Sequence, residues 1–223
     1  MRRIVIPELL DEDQGTSAEI AASLADLRRI NRWFGGTATT TSLLRRVAGR
    51  CGSPNLSLLE VAAGDGYLPL TAQRSLAQQG ITLRVTLLDR KDSHLHDPTL
   101  PAVSGDARQL PFRDGAFDVV SCSLFAHHLE PDELRQFVAE GLRVCRRAVL
   151  INDLIRSPVH LGLVYAGAPL WRSRLTRHDA PASVRRAYTI DEMYRMLRGL
   201  SGARVEITRH FFYRMGVLVW KET

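Results

Sequence analysis

From Leu56 onward, short apolar runs alternate with amphipathic stretches. LSLLEV (56–61), TLRVTLLD (82–89), a shorter piece within LPAVSGDA (100–107), FDVVSCSLF (117–125) and AVLINDLI (148–155) each read as a strand. YLPLTAQRSLAQQ (67–79) and PDELRQFVAEGLRV (131–144) carry apolar residues at helical intervals between them. Apolar strands separated by helices predict a parallel sheet covered on both faces. After a helical insertion at about 158–176 and a helix around TIDEMYRMLRGL (189–200), the rhythm changes. ARVEITRHFF and RMGVLVWK follow as strands joined by a turn too short for a crossover helix, so the two must be antiparallel.

The first fifty residues have a helical texture. Thr16 and Glu19 have the spacing of a capping box, and Ile20, Leu24, Leu27 and Phe34 repeat at helical intervals before Gly35-Gly36. A second short helix is expected over about 40–48, with Leu43, Leu44 and Val47 on one side and Gly49 as its stop. The expected organisation is a helical lid over 1–55 and an α/β core over 56–223, with a substrate-covering insertion at about 157–188.

Composition adds limits. With 45% apolar and 24% charged residues, a 223-residue chain can build one soluble globular domain around a real core. Cys51, Cys122 and Cys145 are an odd, widely spaced set without a C-x-x-C pair. That argues against a disulfide framework or structural zinc and predicts a reducing, cytoplasmic setting. Residues 157–171 form the longest nearly uncharged run, too short to span a bilayer and holding two prolines. The formal charge of +6 raises the question of nucleic acid. However, the basic residues are arginines apart from Lys91 and Lys221 and occur as scattered pairs, so nucleic acid is disfavoured as a partner.

LLEVAAGDGYLPL is a strand, a glycine turn and a helix start, a geometry that presents backbone N–H groups to a ligand. A dinucleotide fingerprint needs glycine at position 69, where the chain has Pro69, and Glu60 and Asp65 would crowd a pyrophosphate with like charge. A Walker A loop is excluded because no Gly-Lys-Ser/Thr follows. A ligand with positive groups fits better. Asp89 ends the second strand and could bind a ribose diol; Asp106 follows the third and could accept from an adenine amino group. Acidic residues often end strands as turn formers. Three at consecutive carboxyl-terminal strand ends beside a glycine turn point instead to the edge where open α/β sheets bind ligands.

These features resemble the class I S-adenosylmethionine-dependent methyltransferases, in their small-molecule branch that includes quinone-pathway enzymes. EVAAGDG is similar to the first family motif, Asp89 to the acidic end of strand two, and GDARQLPFRDGAFDVVSCSLFAHHL to the third and fourth motifs. The resemblance covers roughly 56–155, and the terminal antiparallel pair in topology. It implies a Rossmann-like seven-stranded sheet, mostly parallel with an antiparallel last strand, a helical N-terminal lid and a helical insertion after strand five. It implies S-adenosylmethionine as cofactor and S-adenosylhomocysteine as product. Glu60, Gly64 and Gly66 would line the methionine part, Asp89 the ribose, and Asp106 with Ala107 the adenine; Ala62, Arg90 and Ser123 complete the expected cofactor set. Ala62 stands where the family has its first glycine, a replacement that costs little if φ there is negative.

Methyl transfer from a sulfonium is an in-line displacement, so positioning and charge environment supply much of the acceleration. A phenolic acceptor also loses a proton and benefits from a nearby base. SLFAHHL replaces the Asn/Asp-Pro-Pro-Tyr/Phe motif of the nucleic-acid amine methylases. Some quinone-pathway relatives carry a Glu-x-x-Glu-His metal cluster at this place; here both glutamates are missing, and no metal is expected. His127 and His128 are therefore the expected catalytic residues, one facing the acceptor and one packing. Trp33, Asn152, Asp153, Tyr165 and Trp171 are expected to contact the substrate, with Phe34 as further aromatic surface and Arg28, Asn31 and Arg156 as polar contacts. The expected reaction is O-methylation of a small aromatic or lipidic acceptor of phenolic, quinone-precursor or polyketide-like kind. Carbon methylation, or an RNA-binding or non-catalytic protein of the same fold, are the alternatives.

Overall fold

The computed structural model describes residues 1–12, 14–90 and 100–222. The strands form one seven-stranded sheet: β1 (Asn55–Val61), β2 (Thr82–Asp89), β3 (Ala102–Ser104), β4 (Phe117–Ser123), β5 (Cys145–Leu154), β6 (Ala203–His210) and β7 (Arg214–Lys221). Their spatial order is β3-β2-β1-β4-β5-β7-β6. Strands β1 to β5 pair in parallel, and β7 lies antiparallel between β5 and β6. The predicted terminal hairpin thus forms, with its last strand inserted beside β5. The order reverses between β1 and β4, which opens a crevice at their carboxyl ends.

Alternation along each strand sends its residues to two cores. Leu58, Val85, Val119, Leu150 and Leu218 meet α2 (Gly36–Cys51) and α3 (Tyr67–Ala77) on one face. Leu59, Leu88, Val120, Ile151 and Val217 meet α4 (Pro131–Val144) and α7 (Ile190–Leu197) on the other. The α4 helix occupies the predicted residues, with Pro131 in its first turn and a reciprocal Glu130–Glu133 capping box.

Helix α2 is longer than its sequence suggests. Its start was expected at about residue 40, yet it begins at Gly36, with Thr39 and Thr40 buried in its first turns. The helix runs through Gly49 and stops at Gly52, whose φ of 59° is the left-handed cap that position 49 was expected to supply. Its Leu43, Leu44 and Val47 are fully buried against the sheet. Helix α2 thus shares one core cluster with the strands. The N-terminal segment and α1 (Ser17–Trp33) lie over the crevice.

The insertion after β5 contains α5 (Pro158–Ala166), a single 3-10 turn (Ala168–Leu170) and α6 (Arg174–Arg186), so helix continues past the stretch expected to end at about 176 and stays within the insertion expected over about 157–188. Helices α1 and α6 are joined by Asp26, whose carboxylate accepts the backbone N–H groups of Arg172 (2.8 Å) and Ser173 (3.0 Å). No helix among the described residues is long and apolar enough to cross a membrane.

Candidate active site

The carboxyl ends of β1, β2 and β4 open into a cavity of about 590 Å³ that continues beneath α1, α5 and α6. Glu60, at the end of β1, is buried and accepts a hydrogen bond from Ser121 Oγ on β4. Burial, only partly offset by that hydrogen bond, pushes its carboxyl up to about 7. Asp89, at the end of β2, accepts the Gly64 N–H at 3.0 Å and so ties strand two to the glycine turn. Asp106 is held below the usual carboxylate range by Arg108, whose guanidinium and backbone N–H both donate to it.

Glu60, Ala62, Gly64, Asp89, Arg90, Asp106, Ala107 and Ser123 all line this part of the cavity. Gly66 does not. It caps α3 at φ 69°, a left-handed conformation that favours glycine, and a Cβ there would stand 2.9 Å from Leu87 Cδ1. Ala62 has φ 52°. The condition under which alanine would cost little is not met, and the residue sits in the strained left-handed region.

A 3-10 turn over Ala126–His128 follows β4 and carries the two histidines. His127 is buried; its Nδ1 lies 2.7 Å from Asp153 Oδ1, and its backbone N–H donates to Asp153 Oδ2 at 2.8 Å. Its Nε2 stands 3.5 Å from Glu8 Oε1 and makes no hydrogen bond. Burial alone would lower the imidazole pKa, but Asp153 and then Glu8 lift it to about 10. His128 is the more open ring: Nδ1 meets Asp11 Oδ2 at 2.8 Å and Nε2 lies 3.7 Å from Glu8 Oε1. Both histidines, Glu8 and Asp11 line the cavity.

The N-terminal segment delivers those carboxylates because it is strapped down. Arg3 donates to Glu130 (3.0 Å), to the carbonyl of Arg186 (2.8 Å) and to that of His127 (3.3 Å). Asp179 of α6 accepts the N–H groups of Leu9 and Leu10, and Ser183 Oγ donates to Glu8 Oε1 at 2.7 Å. The sequence reading missed Glu8, Asp11 and Asp179. No local motif links residues 8 and 11 to residues 127 and 128.

The remaining chamber is mainly apolar, walled by Leu24, Leu27, Phe34, Val164, Trp171 and Phe212. Phe34 packs edge-on against Trp171 and lies 4.4 Å, centroid to centroid, from Phe212. Arg214 is buried in the chamber wall; it donates to Asn31 Oδ1 at 3.0 Å, while its Nη1 makes no hydrogen bond. Arg28 of α1 reaches across to Asp65 in the glycine turn at 2.7 Å.

Four expected substrate contacts stand elsewhere. Trp33 is exposed on the outside of α1, and Tyr165 is half exposed beneath the Arg185 guanidinium. Asn152 turns away from the cavity and donates to the Gly36 carbonyl and Thr40 Oγ1, both at 2.8 Å. Asp153 points at His127, not at the chamber. Of the polar candidates, Arg28 and Asn31 line the cavity, whereas Arg156 is tied to Glu192 (2.6 Å) and the Ala187 carbonyl (2.7 Å). Among the expected aromatics, Trp171 and Phe34 do form chamber wall.

Residues 59–151 match a family model described as a methyltransferase domain. No curated protein matches the chain significantly. Among solved structures, the plantazolicin methyltransferase BpumL in complex with S-adenosylhomocysteine superposes with a TM-score of 0.70 at 12% identity, covering 96% of this chain and 94% of that one. Magnesium protoporphyrin IX methyltransferase from Synechocystis PCC 6803, with bound S-adenosylhomocysteine, gives 0.54 at 16% identity over 85% and 84% of the two chains. A SAM-dependent methyltransferase from Aquifex aeolicus gives 0.51 at 16% identity over 74% and 82%. At these identities the likeness is one of fold. The family match over residues 59–151 and the Rossmann-like methyltransferase fold together support an S-adenosylmethionine-dependent methyltransferase that releases S-adenosylhomocysteine.

Proposed function

We propose that the chain methylates a small, largely apolar acceptor carrying an oxygen nucleophile, of the aromatic kind that the small-molecule branch of the family handles. The observation that carries this reading is the continuity of one cavity, with carboxylates at the strand ends and an apolar chamber beyond them. The residues present fit the cofactor. Glu60 offers a buried carboxylate to an ammonium, Asp89 and Asp106 follow on the next two strands, and a Cβ built on Gly64 meets nothing within 4 Å. When bound, the cofactor supplies an electrophilic methyl group. The chain's residues supply position, exclusion of water and a charge environment.

Helix α1 and the α5–α6 insertion form the lid of this reading, with Phe34, Trp171 and Phe212 giving flat contact surface to a ring. Arg214 and Asn31 suit a phenolate, carboxylate or carbonyl oxygen of the acceptor, because a buried guanidinium with an unused N–H gains most from an anionic partner. His127 and His128 remain the residues assigned to the reacting end. His127, held by Asp153 and facing Glu8, positions that corner, and His128 is the more exposed contact. The proton of a hydroxyl acceptor leaves toward this histidine–carboxylate corner. Calorimetry with S-adenosylhomocysteine tests the cofactor half; one-site binding is expected, and no heat at millimolar ligand overturns it. Methyl transfer from labelled S-adenosylmethionine to a panel of phenols, catechols and hydroxyquinones tests the acceptor half, with C-methylated products deciding for the carbon alternative.

A further inference from the structure

We propose that Glu8, His127 and His128 form a binding site for one divalent transition-metal ion of zinc-like preference at the acceptor end of the cavity. One candidate ligand atom from each residue lies within 4.8 Å of the others. Both imidazole Nε2 atoms approach the same oxygen, Glu8 Oε1, at 3.5 and 3.7 Å. A charge-assisted hydrogen bond would close to about 2.8 Å. The observed spacing is that of neighbouring ligand atoms around a metal bound at about 2.0–2.2 Å from each. His127 Nε2 is buried, faces this point and makes no hydrogen bond.

The surroundings are those of histidine ligands. Each ring is fixed through its other nitrogen by a carboxylate: His127 Nδ1 by Asp153 at 2.7 Å and His128 Nδ1 by Asp11 at 2.8 Å. Such partners set the tautomer that leaves Nε2 free to coordinate, and they raise ligand basicity. Ser183 Oγ orients the Glu8 carboxylate. Guanidiniums flank this corner from behind, Arg186 of α6 donating to the His128 carbonyl and Arg3 to the His127 carbonyl, while Glu8, Asp11 and Asp153 present their carboxylates to the two rings. Two nitrogens and one oxygen disfavour magnesium and suit zinc, cobalt or iron, with a remaining position open to the cavity. Residues 124–128 supply only two ligands; the third comes from residue 8, which the strapped N-terminal segment brings in.

Metal binding itself is independent of the methyl-transfer reading. Its consequence, a lowered pKa for an acceptor hydroxyl coordinated at the open position, rests on that reading. The test uses the purified full chain, stripped with chelator and titrated with Co²⁺, followed by visible absorption, with Zn²⁺ as displacing ion and Mg²⁺ as control. Expected are one equivalent of Co²⁺, displacement by Zn²⁺ and no response to Mg²⁺. Glu8→Gln and His128→Ala should each weaken Co²⁺ binding by at least about tenfold, and Asp11→Asn by about 10–100-fold. Binding of S-adenosylhomocysteine by the same variants reports that they are folded. No Co²⁺ binding at millimolar metal, or binding undiminished in both ligand variants, overturns the site. Failure of the unsubstituted chain to bind S-adenosylhomocysteine overturns the methyltransferase reading and leaves the metal result standing.

Discussion

Asp153 holds His127 twice, through ring Nδ1 at 2.7 Å and through the backbone N–H at 2.8 Å, and both residues are buried. The pair pins the turn after β4 to the end of β5, which fixes the corner where an acceptor would meet the methyl donor. Replacing Asp153 by alanine strands an imidazolium and an N–H without their partner. The expected loss is about 3–5 kcal/mol in urea denaturation. A double-mutant cycle with His127→Ala should return a coupling of at least about 1 kcal/mol.

Ala62 stands at φ 52° in the first residue of the glycine turn. The left-handed region costs an L-residue about 1–2 kcal/mol, and glycine loses about 0.5–1 kcal/mol of that gain to unfolded-state entropy. Ala62→Gly should therefore stabilise the chain by about 0.5–1 kcal/mol, read as a raised denaturation midpoint. Affinity for S-adenosylhomocysteine should hold or rise, since removing a methyl group adds room beside the cofactor.

Glu60 makes stability depend on pH in a sense opposite to that of a salt-bridged carboxylate. Burial raises its pKa from 4.5 to about 7 in the folded chain. Between these values the unfolded chain has released the proton that the folded chain keeps, so this group's contribution falls as pH rises and levels off above pH 7. The effect is on the order of 3 kcal/mol and should vanish in Glu60→Gln, measured by denaturation of the ligand-free protein from pH 4 to 8. Because an ammonium favours the ionised carboxylate, S-adenosylhomocysteine affinity should rise across the same window in the unsubstituted chain. Glu60→Gln should weaken that affinity by about tenfold or more.

Arg214 is a buried cation that donates to the neutral side chain of Asn31. Arg214→Met keeps the stem and removes the charge, so stability should stay within about 1 kcal/mol or increase. If the chamber takes an acceptor with an anionic oxygen, kcat/KM for that acceptor should fall at least tenfold, while affinity for S-adenosylhomocysteine holds.

Gly141 lies on the face of α4 that meets the sheet, and a Cβ there would come within 2.7 Å of Val149 Cγ2. Gly141→Ala should cost about 1–3 kcal/mol through overpacking despite alanine's better helix propensity, measured as a lowered thermal midpoint.

The strands were legible because a two-residue period and a 3.6-residue period leave different marks on a sequence, and the acidic edge of the cavity because it is built from strand ends and their turns. Glu60, Gly64, Asp89 and Asp106 arrive at one cavity through the order of the sheet alone. Gly66 and Ala62 show the limit of that reading: both belong to the motif and both take positive φ, which glycine accepts and alanine bears as strain, facts of backbone geometry that residue types do not carry. Asn152 and Asp153 were expected at the substrate because they end a strand, yet alternation and neighbouring helices turned one to Thr40 and the other to His127.

By itself the sequence determined the α/β alternation, the antiparallel terminal pair, the acidic strand ends and the histidine turn, since each follows from local periodicity, capping or turn chemistry. Only the tertiary structure decided what the histidines meet. Glu8 and Asp11 come from a segment over a hundred residues away, held by Arg3, Asp179 and Ser183. Arg214 comes from the last strand to meet Asn31 of the first helix. Contacts of that sequence separation leave no periodic or local signal. They exist because burial of the apolar faces brings the chain's two ends over one crevice.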